Sequence, residues 1–513
     1  MSTAATGTGA ARAMLVDWLA HHGTTADEIV ETHMSVLVFC GQHVYKVKKP
    51  VHFAFADLST LDLRRHNTEQ ELALNRRLAP DVYERLVDIT NADARVVDVA
   101  LRMRRLDPAS RLSMRVASGG GRECTVAVAS KLARFHDDHR GAADAVSSWI
   151  NAAGSYDSFS ALWTAGFAQW SAFTDTILPA ATIAEIEALA LEYLRGRRAL
   201  FDERVARGRI VDGHGDLLAD DIFCEPDGPR VIDCLEFDRT LRAGDALLDA
   251  AFLAMDLEAL GRPDLARDFL DAYRAASGDS WPPSLQHHFI AYRAHVRAKV
   301  ACLRAEQGDP DASNEAVSRC DLALAHLRAA RIRVVLVGGL PGSGKSTVAR
   351  ALAEARAAAL LRSDEIRKDL LGVSSSDHRD DEYRSGAYDP TTTNSTYAEM
   401  LRRATDHLAR GTSVVLDASW SDARLRADAA AVARAADAAF IELRCDAPAP
   451  LCRARLLDRR RRNDDVSDAR PEIHDAMAQR FAPWPSAQRI DTTAPSAEST
   501  AAARMIFDDG GSL

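Results

Sequence analysis

One stretch, residues 331–355, "RIRVVLVGGLPGSGKSTVARALAEA", restricts the fold of this chain more than any other. An apolar run with the character of a buried strand passes through a glycine-rich turn straight into a helical pattern, and Gly339–Ser346 matches the phosphate-binding loop in full. The glycines let successive backbone N–H groups turn inward around phosphates. Lys345 then reaches the β- and γ-phosphates, Ser346 coordinates Mg²⁺, and the helix N-terminus adds its partial positive charge. Gly339, Gly342, Ser343, Gly344, Lys345, Ser346 and Thr347 are therefore the candidate nucleotide-binding residues, and the strand–loop–helix order predicts a P-loop three-layer α/β/α domain.

Three further segments supply groups for chemistry. "SVVLDAS" ends an apolar strand on Asp417, a candidate Mg²⁺ carboxylate whose bland alternative is a turn or cap residue. "LLRSDEIRKDLLG" places Asp364 at another strand end and Arg367 one helical turn on, both able to face an acceptor hydroxyl; the alternative is a Ser363 cap with acids in the first turn. In "LCRARLLDRRRRNDDVSDA", Arg455 and Arg459 share a helix face and are candidates for a lid over a transferring phosphate, against a simply solvated face. Together with "GAYDPTTTNSTYAEML", residues 331–490 resemble the small P-loop kinases related to zeta toxins, gluconate kinase and the kinase domain of polynucleotide kinases. The resemblance implies ATP and phosphoryl transfer and leaves the acceptor open.

Far upstream, "HGDLLADDIF" crowds His214, Asp216, Asp220 and Asp221 at a turn before "IFCEPDGPRVID". Carboxylates so placed repel unless a cation or proton holds them. With "VIDCLEFDRTLRAGDALLDAAFLA", the segment resembles the aminoglycoside phosphotransferase family and its bilobal protein-kinase-like fold, over residues 30–300. That resemblance implies Asp216 as catalytic base and Asp233 as a Mg²⁺ ligand. It also implies a phosphate-pairing lysine in "HVYKVKKP", where Lys46 is preferred and Lys48 is the alternative, held by Glu71 rather than Glu69 of "EQELALNRRL". Asp245 and Asp249 match the family's downstream acidic pair, read as support for the catalytic loop. Asp221 stands where the family has a metal-binding Asn, and the nucleotide loop is shortened to one turn at Gly41.

At 513 residues, 47% hydrophobic and 27% charged, the chain has the composition of a folded protein of more than one domain. The texture changes near residue 325 without a Gly/Ser or Pro-rich linker, so the expected division is 1–325 and 326–513. A net charge of −10 argues against nonspecific nucleic-acid binding and favours small-molecule partners. Lysine is scarce, seven of 64 basic residues, which draws attention to Lys46 and Lys345. Eight scattered cysteines predict neither a zinc site nor a disulfide framework, and no export signal or long apolar run is visible, so a cytoplasmic setting is expected. The combined expectation is an ATP- and Mg²⁺-dependent phosphotransferase of mixed α/β and α+β class. It resembles the bacterial fusions of an aminoglycoside-phosphotransferase-like domain to a P-loop kinase. A nucleotide-sensing regulator with a pseudokinase N-terminal domain, and a polynucleotide 5'-kinase, are the rival readings.

Overall fold

The structure, a computed structural model, describes residues 4–53, 56–141, 148–372, 389–462 and 471–508. The "GAY" and "SDA" of two motifs quoted above lie outside the described residues. The chain divides into two compact units, each discontinuous in sequence. Met1–Leu162, Arg204–Ser280 and Phe289–Ala323 form the first; Trp163–Glu203, Trp281–His288 and Leu324–Leu513 form the second.

The first unit begins with strands β1 (Glu28–Glu31), β2 (Ser35–Cys40) and β3 (His43–Lys48), and a two-residue pair, β4 (His52–Phe53) with β5 (Ala56–Asp57). After β6 (Tyr83–Thr90) and β7 (Val96–Arg104) the antiparallel sheet is complete, in the order β1-β2-β3-β7-β6. The β2–β3 hairpin turns through Gly41, whose φ of +54° suits glycine and whose N–H is held by Asp27. Alternation does the rest: Val36, Val38 and Val47 face Leu15 and Leu19 of the helix Ala4–His21, each leucine contributing about 1.5–3 kcal/mol by burial. Val44, Leu101 and Met103 form a core on the opposite face.

The helix Leu61–Asn75 starts at a Thr60 cap that accepts from Leu63 N, and crosses that sheet. Its spacing predicts an apolar side containing Leu72 and Leu78. The structure turns both inward, Leu78 buried and Leu72 packed against the Val44 core, and buries Leu74 with the polar Arg64, Thr68, Glu71 and Asn75, which find partners inside. Arg64 pairs with Asp98 at 3.0 Å, and Asn75 Oδ1 accepts from Cys234 N at 2.8 Å.

The rest of the unit is helical around the helix Ala246–Ala259, buried from Ala246 through Leu257, with short strands β8 (Ile210–Asp212), β9 (Ile222–Glu225), β10 (Gly228–Val231) and β11 (Ala243–Asp245). β9 pairs with β10 and β8 with β11, both antiparallel. One expectation is corrected here: Cys124 and Cys224 are joined as a disulfide, with Cα atoms 5.7 Å apart, while the other six cysteines are free and buried. The two residues are 100 apart in sequence, a separation that no spacing rule flags.

In the second unit β12 (Arg333–Gly338), β13 (Ala359–Arg362), β14 (Val414–Asp417), β15 (Ala439–Asp446) and β16 (Gln488–Asp491) form a parallel sheet ordered β13-β14-β12-β15-β16. Every residue of β12 is buried, as its unbroken apolar run requires. Val348 and Leu352 of the helix Lys345–Ala355 and Phe507 of the helix Ser496–Asp508 pack with Val335, Val337, Ile441 and Leu443. The helices Pro390–Ala409 and Ala423–Ala435 also pack on the sheet, giving the α/β/α sandwich. The chain runs from β12 to β13 and β14 on one side and then crosses to β15 and β16 on the other, so the crevice beyond the C-terminal end of β12 is a topological switch point, where such sheets bind ligands.

Candidate functional site

The phosphate loop leaves β12 at that crevice. Gly342 has φ +80°, and a Cβ on it would lie 2.5 Å from Cys452 O, so backbone approach and conformation both demand glycine. Three successive carbonyls of the loop are taken by side chains. His474 Nδ1 donates to Pro341 O at 2.9 Å, Arg455 Nη1 to Gly342 O at 3.4 Å, and Thr492 Oγ1 to Ser343 O at 2.6 Å. Fixing those carbonyls fixes the orientation of the peptide N–H groups between them, the anion-binding element of the loop. Arg455 gives its other terminal nitrogen to Thr492 O at 2.7 Å, so the structure places it on backbone rather than over an open phosphate position. Arg459 is half-buried one helical turn further on. Sequence reasoning missed His474 and Thr492, because neither lies in a motif.

Lys345 and Ser346 open the helix, Gly344 caps it, and Thr347 follows in its first turn. Asp417 ends β14 beside β12 and is buried. Burial raises its pKa while Lys345, Ser346 and Arg362 oppose the rise; Arg362 Nε donates to one carboxylate oxygen at 3.2 Å, and the other oxygen, Oδ1, is buried without a hydrogen-bond partner. Asp364 starts the helix Ser363–Leu371 and accepts from Arg367 Nη1 at 2.7 Å. Lys345, Asp364 and Arg367 line one cleft of about 410 Å³ with Tyr397, Ser419 and Arg424. A phosphate donor at the loop and a hydroxyl acceptor in the cleft would face each other across Asp364.

In the first unit, Lys46 and Lys48 project from the same face of β3 and grip one carboxylate. Lys46 Nζ and Lys48 Nζ each lie 2.7 Å from a Glu71 oxygen, Lys48 also 2.6 Å from Glu236, and Lys46 3.5 Å from Asp233. Burial alone would raise the Glu71 pKa; the two ammonium groups hold it below the usual carboxylate range. Lys46 is drawn upward likewise: burial would lower it, and Glu71 and Asp233 raise it well above its ordinary value.

The "HGD" loop hangs on Asp249, which accepts from His214 N at 2.8 Å, Gly215 N at 2.9 Å and His136 Nε2 at 2.9 Å. This is the supporting role expected of that residue, with His136 as an unforeseen partner. Asp216 has a 38% exposed side chain in a recess whose walls still desolvate it; burial raises its pKa, opposed by Arg297, whose Nη1 lies 3.5 Å away. Asp221 is pushed well up by burial and by Asp233, Asp216 and Asp220. Asp233 stands at φ +63°, a conformation a non-glycine residue keeps only where its surroundings enforce it. Asp216, Asp221 and Asp233 thus share one electrostatic neighbourhood, with Lys46 at its edge.

Both sites suit Mg²⁺ as a phosphate-bound ion. Among the described residues no three His, Cys, Asp or Glu side chains form a metal cluster by themselves. An ion that takes most of its ligands from phosphates and water needs only one or two carboxylates. Asp417, with its bare Oδ1 beside Ser346, and the mutually repelling Asp221 and Asp233 offer that.

The family model described as an AAA domain matches residues 334–484. Over 481 residues the chain is 38% identical to an uncharacterized protein of Mycobacterium tuberculosis, covering 94% of this chain and 95% of that one; a Mycobacterium bovis protein matches to the same extent. Among solved structures, an aminoglycoside phosphotransferase, APH(4)-Ia, is 12% identical with a TM-score of 0.39, covering 60% of this chain and 98% of its own. The Mycobacterium tuberculosis APS kinase, solved with AMPPNP and APS, is 23% identical with a TM-score of 0.26, covering 36% and 99%. No described helix is long and apolar enough to cross a membrane.

Proposed function

The chain belongs to the same family as these mycobacterial proteins, and we propose that it is an ATP-dependent phosphotransferase whose P-loop site moves the γ-phosphoryl group of ATP to a hydroxyl of a small molecule. The observation that carries this is the cleft opening from Lys345 onto Asp364. Lys345 and the loop N–H groups hold the β- and γ-phosphates. Asp364, positioned by Arg367, takes the proton of the acceptor hydroxyl as its oxygen bonds to the γ-phosphorus and the bond to the ADP oxygen breaks. Ser346 and Asp417 would hold Mg²⁺, which would neutralise charge on the phosphates.

The kinase-like domain is assigned to 1–325 and the P-loop domain to 326–513, with 163–203 and 281–288 joining the latter in the folded unit. For the kinase-like site, Lys46 and Glu71 support nucleotide binding and Asp216 supports a base. The charge of Asp221 favours a second reading there, nucleotide sensing with little transfer. Transfer of label from γ-labelled ATP to a panel of sugars, aminoglycosides, nucleosides and oligonucleotides tests both. Loss of transfer in Lys345→Ala but not Asp216→Ala of the full chain assigns catalysis to the P-loop unit; the reverse pattern refutes it.

A further inference from the structure

We propose that Cys124 and Cys224 form a thiol–disulfide exchange site, reduced by a dithiol, whose redox state sets how firmly the hairpin between Asp221 and Asp233 is held. The disulfide joins the first turn of the helix Arg122–Asp138 to β9, and β9 with β10 fills the stretch from Asp221 to Asp233. The two carboxylates assigned above to metal therefore stand at the two feet of one hairpin, where Asp221 O accepts from Ile232 N at 2.9 Å.

Alone, that hairpin is weak. Its strands have four residues each and form a two-stranded sheet of their own, which is marginal in water. Pro229, opposite Cys224, has no N–H to give to the ladder. Ties to the surroundings hold it in place. Lys131 Nζ donates to Pro229 O at 2.7 Å and Arg230 Nε to Asp81 at 2.9 Å, while Arg111 makes a β-bridge to Phe223 and sets its guanidinium 5.3 Å from that ring. Lys131 lies on the same helix as Cys124, so one hydrogen bond and one covalent bond fasten the hairpin to that helix. With Ile222, Phe223 and Val231 buried, loss of the covalent tie loosens the hairpin without unfolding the unit.

The chemistry favours this pair among the eight cysteines. Both are half-buried, whereas the other six are buried, and burial raises the pKa of each of those thiols, which keeps them protonated and inert. Cys124 lies in the first turn of a 17-residue helix, where the N-terminal partial charge favours a thiolate. A thiolate of the reductant attacks Cys224 Sγ, the S–S bond breaks, and Cys124 leaves as thiolate. The second thiol of the reductant then displaces Cys224; two electrons and two protons end on the protein pair, and the reductant departs as its disulfide. Oxidised glutathione runs the exchange in reverse.

The full chain tests this without an activity assay. Dithiothreitol under native conditions should open Cys124 and Cys224 to alkylation, mapped by peptide mass spectrometry, with the other six labelled only in denaturant. Hydrogen exchange across residues 222–232 should quicken by about tenfold or more, exchange over β12 should stay within about twofold, and oxidised glutathione should restore the slow rate. Cys124→Ser/Cys224→Ser should match the reduced wild type and ignore both reagents. In a Lys345→Ala background, the Mg²⁺ concentration needed for ATP binding should rise about threefold or more on reduction; this arm alone rests on the kinase-like reading above. Absence of a 124–224 cross-linked peptide before reduction, resistance of the bond to dithiothreitol in the folded chain, or superimposable exchange across 222–232 in the two states overturns the proposal. Exchange that follows the redox state while no ATP binds in either state overturns the nucleotide reading of this unit instead.

Discussion

Replacing Lys48 with Met separates the scaffold around Glu71 from the chemistry proposed for Lys46. The Lys48 side chain is 3% exposed, and its ammonium sits 2.7 Å from Glu71 and 2.6 Å from Glu236. Methionine preserves volume and removes the charge, leaving Glu236 without that partner and Glu71 with Lys46 alone. Removing one member of a buried pair costs about 3–5 kcal/mol, and two charge-assisted hydrogen bonds at about 1.5–3 kcal/mol each give a similar range. Since Lys46 still compensates Glu71 at 2.7 Å, the low end applies, about 3 kcal/mol. At about 1.36 kcal/mol per decade, hydrogen-exchange protection of β3 and the helix Leu61–Asn75 should fall about a hundredfold. Lys46 differs: its side chain is 15% exposed and reaches toward Asp233 at 3.5 Å. In a Lys345→Ala background, which silences the other site, Lys46→Met should abolish the remaining ATP affinity in calorimetry. Nucleotide affinity lost with Lys48→Met but kept with Lys46→Met, or unchanged exchange protection in Lys48→Met, refutes the division of labour.

Thr492→Val removes one of the three carbonyl ties behind the phosphate loop; ATP affinity should fall by about three- to tenfold, about 1 kcal/mol, with the circular dichroism spectrum unchanged, as titration calorimetry can check. Asp249→Asn tests the hub under the "HGD" loop. Burial pushes the Asp249 carboxyl up, but the His136 hydrogen bond and the His214 and Gly215 N–H groups bring it below its ordinary value. A depressed carboxylate contributes stability above its unfolded pKa of about 3.9 that is lost as pH falls through the folded value, so loop protection in the wild type should decline below about pH 4. The Asn variant should lack that step and be weaker by about 1.5–3 kcal/mol at neutral pH, read by hydrogen exchange across residues 213–216. Asp221→Asn relieves a carboxylate crowded by Asp233, Asp216 and Asp220. With Lys345→Ala, the Mg²⁺ concentration needed for ATP binding should drop; superimposable metal titrations would mean Asp221 is no ligand.

The phosphate loop is legible because everything it needs is local: strand, glycines, lysine and helix follow one another in 25 residues, and β12 carries the unbroken apolar run of a strand covered on both sides. Lys46 and Glu71 are legible for a different reason, their place in an ordered series of motifs. Hydrophobic periodicity caught Leu72 and Leu78 but not the polar part of the inner face of Leu61–Asn75, where Arg64, Thr68, Glu71 and Asn75 are held by ion pairs and hydrogen bonds. His474 and Thr492 act on backbone carbonyls far away in sequence, 133 and 149 residues, and Cys124 meets Cys224 across 100, contacts that topology decides.

The discontinuous second unit has a consequence for birth on the ribosome. Residues 163–203 carry Tyr193 and Arg197, whose settled partners include Ser284 and Ala436, and Ser284 in turn bonds Gly411 O at 2.6 Å. About 200 residues separate Glu203 from Gly411, so at typical synthesis rates this segment waits roughly 10–40 s for the sheet that completes its unit. During that interval Trp163, Phe167 and Trp170, all buried in the finished fold, need temporary cover. Chaperone demand and aggregation during synthesis should therefore concentrate on this early helical segment rather than on the P-loop sheet that emerges after it.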